Sequence, residues 1–365
     1  MRGTAVRWTA WTAWTAGVLV LGLLATWIWW RESDTAARWR FEEAMKTYCG
    51  GVLAYEKGPL FDGLGHHVAL RGDHSARKDA HTCRLGAPGR EVVVALLPGG
   101  DPGPEQLRNT LPPLRDEVLL PVPLGGGWRG WIDGSSARVL LGCRGSADRV
   151  AVTVGMVSPL SEGDAETVFA KPEMMWDGTD HLFGTRFALA TAVKAAGHWG
   201  CEPETGKPLT SLPEVTGDEA TDRADGTCAG LPFARDRRLD TVRETAVDRS
   251  AVYEVCEVAA SHYFDERYSF TARFGPYALT GRREGRVRDV TGEAGARGGT
   301  LWATARCPGD AERALFTGYT PPQAATVWLP GEKGEETFGL PAFHTFAKRS
   351  AERHGCTDLR LPKSR

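Results

Sequence analysis

The longest apolar stretch of the chain lies near its amino terminus, where residues Trp8 to Trp30 carry no charged side chain. As a helix, this stretch would be about 34 Å long, enough to cross the hydrocarbon core of a bilayer. Tryptophans stand at both ends of the stretch, as they do at the two headgroup levels of membrane helices. The pattern predicts a transmembrane helix over 8–30, preceded by a short cytoplasmic tail, 1–7.

A cleaved signal peptide is the alternative interpretation of this stretch. Such a peptide has a shorter apolar region followed by small residues at its cleavage site. Here the apolar run ends in bulky side chains, Ile28-Trp29-Trp30-Arg31, so the sequence favours an uncleaved anchor. A helix within residues 31–47 is predicted to join the anchor to the rest of the protein.

Beyond the anchor, short apolar strands alternate with Ala-rich helical segments. The run from Val92 to Leu97 is too apolar for one of its faces to meet water, so it predicts a sheet with helices on one face. A glycine follows the end of each Ala-rich segment, which is the usual stop signal of a helix. The clearest segments are the strands Glu91–Leu97 and Tyr268–Phe274 and the helices Thr185–His198 and Ala342–His354. The fold class predicted is therefore α+β.

Eight cysteines divide this part of the chain into two similar halves. Their successive separations are 34, 60 and 58 residues in the first half and 28, 51 and 49 in the second. The segment from Cys143 to Arg149 (Cys-Arg-Gly-Ser-Ala-Asp-Arg) also parallels that from Cys307 to Arg313 (Cys-Pro-Gly-Asp-Ala-Glu-Arg). Such recurrence indicates an internal duplication. We predict a first α+β repeat at 48–201, an acidic, proline-containing linker at 202–227 and a second repeat at 228–365.

The cysteines also indicate the compartment. No C-x-x-C pair occurs, and an even number of widely spaced cysteines behind an export signal is typical of structural disulfides. Basic residues on either side of the anchor favour the opposite orientation, but the cysteines place the repeats outside the cytoplasm. Four cysteines per repeat allow three pairings; we favour first with fourth and second with third. This gives Cys49–Cys201, Cys83–Cys143, Cys228–Cys356 and Cys256–Cys307.

The remaining composition and motifs give no catalytic, cofactor or metal residue. A formal charge of −2 without a basic stripe argues against nucleic acid as a partner. The histidine group has no metal-binding spacing and is interpreted as a polar loop; its members are His66, His67, His74 and His81. Two segments together predict an aromatic and cationic binding surface. Its candidate residues are Trp128, Arg129 and Trp131, with Arg282, Arg283, Arg286 and Arg288.

The layout as a whole resembles the uncharacterised membrane-anchored exported proteins of high-GC actinobacteria. The resemblance rests on Cys-Gly-Gly-Val-Leu at 49–53, the Gly-Cys helix ends and the Trp-rich anchor, and it implies no activity. We therefore expect a single-pass plasma-membrane protein with extracytoplasmic domains and a non-enzymatic role in binding a protein or an envelope polymer. An extracytoplasmic enzyme acting on envelope material and a sensory ectodomain that relays through a membrane partner are the alternative hypotheses.

Overall fold

The computed structural model shows an α+β protein with two antiparallel sheets and four disulfides. It describes residues 5–54, 70–77, 79–85, 90–97, 99, 120–133, 136–156, 178–213, 217–236, 238–260, 267–283, 292–320 and 338–363. We refer to residues 48–201 as the first half and to residues 228–363 as the second half.

Seven strands form the sheet of the first half, in the spatial order β1-β2-β3-β7-β6-β5-β4. They are β1 (Leu70–Arg77), β2 (Ala80–Leu85), β3 (Arg90–Leu97), β4 (Val122–Pro123), β5 (Gly130–Ile132), β6 (Ser136–Gly142) and β7 (Arg149–Met156).

Eight strands form the other sheet, in the order β12-β13-β14-β11-β10-β9-β8, with β15 also pairing with β13. They are β8 (Glu219–Ala220), β9 (Thr241–Glu244), β10 (Tyr253–Ala259), β11 (Tyr268–Arg273), β12 (Gly295–Arg297), β13 (Thr300–Arg306), β14 (Ala314–Tyr319) and β15 (Thr357–Arg360).

Five α-helices complete the described structure, and three of them pack on the two sheets. They are α1 (Ala5–Glu32), α2 (Asp34–Met45), α3 (Gly178–His198), α4 (Pro276–Arg283) and α5 (Leu340–Arg353). The strands and Ala-rich helices predicted from the sequence are all present. Helices α3 and α5 each end two residues before a glycine with positive φ, Gly200 and Gly355, which precedes the fourth cysteine of its half.

The two sheets repeat one topology. Read from one edge, β1-β2-β3-β7-β6-β5 of the first half corresponds to β9-β10-β11-β14-β13-β12 of the second, and a helix follows β7 and β14 alike. The register agrees too: a row of paired residues runs across four strands from the second cysteine of each half. These rows are Cys83, Val92, Val154 and Ala137 in the first half and Cys256, Phe270, Gly318 and Leu301 in the second.

One helix covers one face of each sheet. In the first half, side chains of β3, β6 and β7 such as Val94, Val139 and Val152 form a core with Ala188 and Ala192 of α3. In the second half, Phe270 and Phe316 pack against Phe343 and Phe346 of α5. Both cores therefore consist of alternate strand residues and one stripe of a helix, as the apolar pattern predicted.

The opposite faces of the two sheets meet each other. Trp131, Leu140 and Ala151 of the first sheet share one buried cluster with Tyr253 and Val255 of the second. This inter-sheet layer explains why Ala137–Leu141 is buried without a break: the strand has the α3 core on one face and the other half of the protein on its second face. The sequence predicted helical cover on one face and did not predict the second cover.

The predicted disulfide pairing is wrong. The bonds are Cys49–Cys83, Cys143–Cys201, Cys228–Cys256 and Cys307–Cys356, so first pairs with second and third with fourth in each half. The favoured alternative required the strands that carry the second and third cysteines to be neighbours. Two strands separate them in both sheets, β3 and β7 in one and β11 and β14 in the other. At about 4.8 Å per strand this separation exceeds the reach of a disulfide.

The conformation after the first cysteine explains a glycine in each half. Gly51 and Gly230 both stand two positions after that cysteine and have left-handed φ angles of 74° and 76°. A Cβ on Gly51 would lie 2.7 Å from the carbonyl oxygen of Lys46. The glycine therefore lets the chain turn back tightly so that Cys49 can reach Cys83 on β2.

Helices α1 and α2 precede the first half. Ser33 caps α2 by accepting a hydrogen bond from Ala36 N through its hydroxyl, and Phe41 and Met45 attach α2 to the core of the first half. The segment predicted to span a membrane, 8–30, includes residues of α1 whose side chains are outside the described set. Among the residues that are described, no helix has the length and apolarity needed to cross a bilayer, so the spanning helix stays a prediction.

The segment predicted as a linker follows the edge of the first sheet before it reaches the second. Pro203 forms a β-bridge with Cys143, Glu204 N donates to Gly142 O, and Lys207 N donates to Gly126 O. Further on, Ala220 of β8 pairs with Thr241 of β9. The segment thus connects the halves while it is hydrogen-bonded to each of them.

Candidate functional site between the two sheets

The two tryptophans predicted for an exposed binding surface are buried, which corrects that prediction. Trp128 is 7% exposed and donates its indole N–H to Lys207 O at 2.6 Å. Trp131 is completely buried in the inter-sheet layer. Large aromatic side chains beside strands contribute much apolar area, and here that area is used within the protein rather than at its surface.

Arg129, the third residue of that predicted surface, bridges the two halves. Its guanidinium donates to both carboxylate oxygens of Asp310 at 2.9 and 3.0 Å. Arg149 lies 3.5 Å from Asp310 and 3.4 Å from Glu312. We call Arg129, Arg149, Asp310 and Glu312 the bridging ion cluster. It joins the loop after the third cysteine of the second half to the residue before β5 and to the first residue of β7 in the first half.

Burial changes the protonation equilibrium within this cluster. Burial raises the pKa of Glu312, and the charge of Arg149 acts against that effect. The carboxylate is only 4% exposed, so it depends on the arginine for stabilisation of its charged form. The bridging ion cluster is consequently a structural contact whose charges depend on one another.

The predicted basic loop is only partly within the described residues. Arg282 lies on α4 and is half-buried; burial lowers its pKa, as does the nearby charge of Arg313. Arg283 ends α4, and its side chain is outside the described set, as are Arg286 and Arg288 altogether. A basic surface at these positions stays a prediction.

A row of polar and aromatic side chains faces the second half from the first sheet. Trp131, Arg138 and Thr153 are consecutive partners across β5, β6 and β7, so they project from the same face. The guanidinium of Arg138 lies 5.1 Å from the ring centre of Trp131 and 3.4 Å from the carboxylate of Asp133. The sequence did not single out Arg138 as a buried charge.

Aromatic rings of the second half pack against this row of side chains. Tyr277 of α4 meets Trp131 edge to face with the ring centres 4.4 Å apart, and Tyr253 of β10 lies 5.5 Å from Trp131. Burial raises the pKa of Tyr277 strongly, while the nearby arginines act against the rise. Arg273, the partner of Tyr253 across β10 and β11, lies over the Tyr253 ring at 5.4 Å. The layer therefore combines three aromatic rings with two buried or half-buried guanidinium groups.

A second charged cluster lies between the other sheet face and α5. The fully buried Glu254 carboxylate accepts hydrogen bonds from Ser350 Oγ at 2.6 Å, from Arg353 at 3.0 Å and from His354 Nε2 at 2.9 Å. Burial by itself raises the pKa of Glu254, but these partners outweigh it and lower the pKa to about 2. The ring of His354 is stacked on Phe274 with centres 3.9 Å apart.

This second cluster fixes the end of α5 to β10. All donors to Glu254 come from the last turn of the helix, where basic side chains also interact favourably with the helix dipole. The carboxylate, the serine and the histidine are present as they are in hydrolase triads, but Ser350 bonds to Glu254 rather than to His354. The arrangement holds the charge of the carboxylate and does not activate the hydroxyl.

The histidine group gives no metal centre in the part of the chain that is described. His66 and His67 lie outside the described residues, as does the side chain of His74 on β1. His81 is buried on β2 and stacks on Trp199 at 6.1 Å. Within the described ranges, no three potential ligands are grouped around a common point.

Comparisons with protein-family models, with curated proteins and with solved structures found no significant match. The proposals that follow therefore rest on the residues of this chain alone.

Proposed function

We propose that the chain is a single-pass membrane protein whose two disulfide-bonded halves lie outside the cytoplasm and act as a non-enzymatic binding module. Its partner would be another protein or a polymer of the cell envelope. The two halves would have arisen by duplication, as their shared strand order and register suggest.

The observation that carries the anchoring proposal is the exposure of α1. Ten of the thirteen exposed large apolar residues of the described structure lie between Val18 and Trp30. Leu21, Leu23 and Trp29 are 67%, 70% and 73% exposed, and they point in different directions around the helix. A helix that is apolar on all sides is stable when a protein interior or a bilayer surrounds it, and the folded halves do not surround α1 from Val18 to Trp30.

The state of the cysteines supports an oxidising location. All eight are paired, each with a partner in its own half. Structural disulfides persist outside the reducing cytoplasm. The anchor and the bonds together favour export of the two halves across the membrane.

The charged groups support binding rather than catalysis. The carboxylate with the most perturbed pKa, Glu254, has its charge satisfied by Arg353 and His354. In the bridging ion cluster, Asp310 and Glu312 are paired with Arg129 and Arg149. These groups stabilise the fold and the packing of the two halves, which is the requirement of a rigid binding module.

Reporter fusions test the anchoring and the orientation. Alkaline phosphatase, which is active after export, and a fluorescent protein, which matures in the cytoplasm, are each joined to the carboxyl terminus. We expect phosphatase activity in carbonate-washed membranes and no fluorescence, and loss of phosphatase activity when residues 1–32 are removed. Fluorescence of the full-length fusion without phosphatase activity would contradict the proposed orientation.

Binding to an envelope polymer is tested by sedimentation. The full chain, solubilised in non-ionic detergent, is mixed with isolated cell-wall sacculi and centrifuged. Saturable recovery in the pellet supports the polymer as partner, whereas recovery in the supernatant alone would eliminate it and leave a membrane or exported protein.

A further inference from the structure

Five buried polar atoms of the inter-sheet layer have no hydrogen-bond partner among the described residues. They belong to residues that are within or directly beside the layer and that come from both halves of the protein. The atoms are Trp131 Nε1, Arg138 Nη1, Thr153 Oγ1, Arg273 Nε and Tyr277 Oη. A buried donor without a partner is unfavourable because it has lost its bonds to water, and a cluster of them is unusual.

The residues that carry these atoms are neighbours. Trp131, Arg138 and Thr153 form one row on the first sheet, and the Tyr277 ring contacts Trp131. Arg273 is linked to the row through Tyr253, which lies against both Arg273 and Trp131. Four of the five are nine-tenths or more buried: Trp131, Arg138, Thr153 and Tyr277.

The chemistry of the five atoms indicates what they would bind. Indole and guanidinium N–H groups only donate hydrogen bonds, and the two hydroxyls can donate as well. A single ligand that satisfies all of them must therefore be rich in acceptors. Cations and apolar molecules do not have that property.

The distribution of charges around the layer also favours an anion as the ligand. The bridging ion cluster contains two arginines and two carboxylates, and Arg138 faces Asp133. Arg273 makes no ion pair among the described residues and contacts the Tyr253 ring instead. Among the described residues, the half-buried guanidinium of Arg273 therefore has no carboxylate partner, and burial of a charge is unfavourable without a counter-charge.

We propose that the layer between the two sheets binds a small oxyanion, of the size of phosphate or sulfate, held by Arg138 and Arg273 and by the N–H and hydroxyl groups of Trp131, Thr153 and Tyr277. Because the donors come from both halves, the bound anion stabilises the packing of one half on the other. This site is independent of the membrane anchor and of the partner proposed above.

Thermal unfolding of the full chain in non-ionic detergent tests the site. The melting temperature is measured with increasing phosphate, sulfate or acetate against chloride at the same ionic strength. We expect saturable increases with phosphate or sulfate, because a ligand that binds only the folded state stabilises it. Acetate tests whether a carboxylate serves equally well. Equal melting temperatures in all four salts would overturn the proposal.

Substitutions that remove a hydroxyl without changing the side-chain volume much separate binding from folding. In chloride, Tyr277→Phe and Thr153→Val should melt at or above the temperature of the wild type, because each deletes an unpartnered polar group. In phosphate, both should lose at least half of the anion-dependent increase. An undiminished increase in both variants would overturn the assignment of these hydroxyls to the site.

Arg273→Gln tests the charge, and Arg306→Gln is its matched control because Arg306 is on the surface with 71% of its side chain exposed. We expect the apparent affinity for phosphate to fall at least tenfold in Arg273→Gln and to stay within twofold in Arg306→Gln. Equal effects of the two substitutions would show a general effect of net charge and would overturn the site.

Discussion

Glu254 accepts a hydrogen bond from His354 at 2.9 Å, and the equivalent positions of the first half are occupied by His81 and Trp199, whose rings stack at 6.1 Å. Glu254 and His81 each precede the second cysteine of their half by two positions. His354 and Trp199 each precede the fourth cysteine by two positions. The same contact thus joins the second strand to the end of the closing helix in both halves. One half makes it with charges and the other with aromatic rings.

The contact between Glu254 and the end of α5 predicts that a small substitution at Glu254 has a large effect on stability. Glu254→Gln keeps the size of the side chain but removes the negative charge that faces Arg353 and weakens the acceptor for the hydrogen bond to His354 in a buried site. We expect a loss of about 3 kcal/mol in the free energy of unfolding. Urea unfolding followed by tryptophan fluorescence measures it.

Glu43→Gln is the control for this substitution, because the Glu43–Lys46 pair on α2 is exposed to solvent. Its loss should cost less than about 1 kcal/mol. Similar losses for the two substitutions would show that the Glu254 cluster contributes no more than a surface ion pair.

The stability that the Glu254 cluster contributes should depend on pH, because the pKa of Glu254 is lowered to about 2 from an ordinary value of 4.5. A carboxyl group with a lower pKa in the folded state stabilises the fold above its unfolded pKa, and this contribution is lost as the pH falls through the folded pKa. The stability difference between wild type and Glu254→Gln should stay constant down to about pH 5.5 and shrink by about 3 kcal/mol towards pH 2. A difference that grows on acidification would have the wrong sign.

Packing between the halves is tested at Trp131. Trp131→Ala removes a completely buried ring from the inter-sheet layer and should cost about 3–5 kcal/mol. Trp39→Ala is the matched control, because the Trp39 side chain on α2 is 55% exposed, and it should cost less than about 1 kcal/mol. Hydrogen exchange should accelerate across β5–β7 in the first variant and be unaffected there in the second. Unchanged exchange in Trp131→Ala would contradict the packing of one sheet on the other.

The proposed anchor is tested with charges in its exposed apolar part. Leu21→Arg together with Leu24→Arg should make membrane insertion less favourable by about 3 kcal/mol per residue. The chain should then leave the carbonate-washed membrane fraction. Val193→Arg with Val247→Arg, both at exposed apolar positions outside α1, should leave the chain in that fraction. Retention of the α1 variant would contradict the anchor.

Local and periodic features of the sequence predicted much of the fold. The cysteine spacing and the Cys143–Arg149 and Cys307–Arg313 segments indicated two similar halves, and Gly200 and Gly355 marked the helix ends, because both kinds of signal depend on neighbours in the chain. The six apolar residues of Val92–Leu97 also indicated a sheet with helical cover on one face, but not the cover that the other half of the protein gives to the second face.

The missed features depend on the order of strands and on contacts between distant residues. The disulfide pairing follows from the insertion of β3 and β7 between β2 and β6, and nothing in the spacing of Cys83 and Cys143 reveals that insertion. Trp131 and Arg129 gave a surface pattern in the sequence, since a tryptophan beside an arginine occurs in binding surfaces and in buried contacts alike. Only the second half, which covers them, distinguishes the two arrangements.

Peptide mapping of the unreduced chain, extracted from its native membrane, tests whether the eight cysteines are bonded in two equivalent sets. We predict four linked peptide pairs, joining Cys49 to Cys83, Cys143 to Cys201, Cys228 to Cys256 and Cys307 to Cys356, and no free thiol. Free thiols at most of these positions would contradict the oxidising location, and a bond from one half to the other would contradict the repeated architecture.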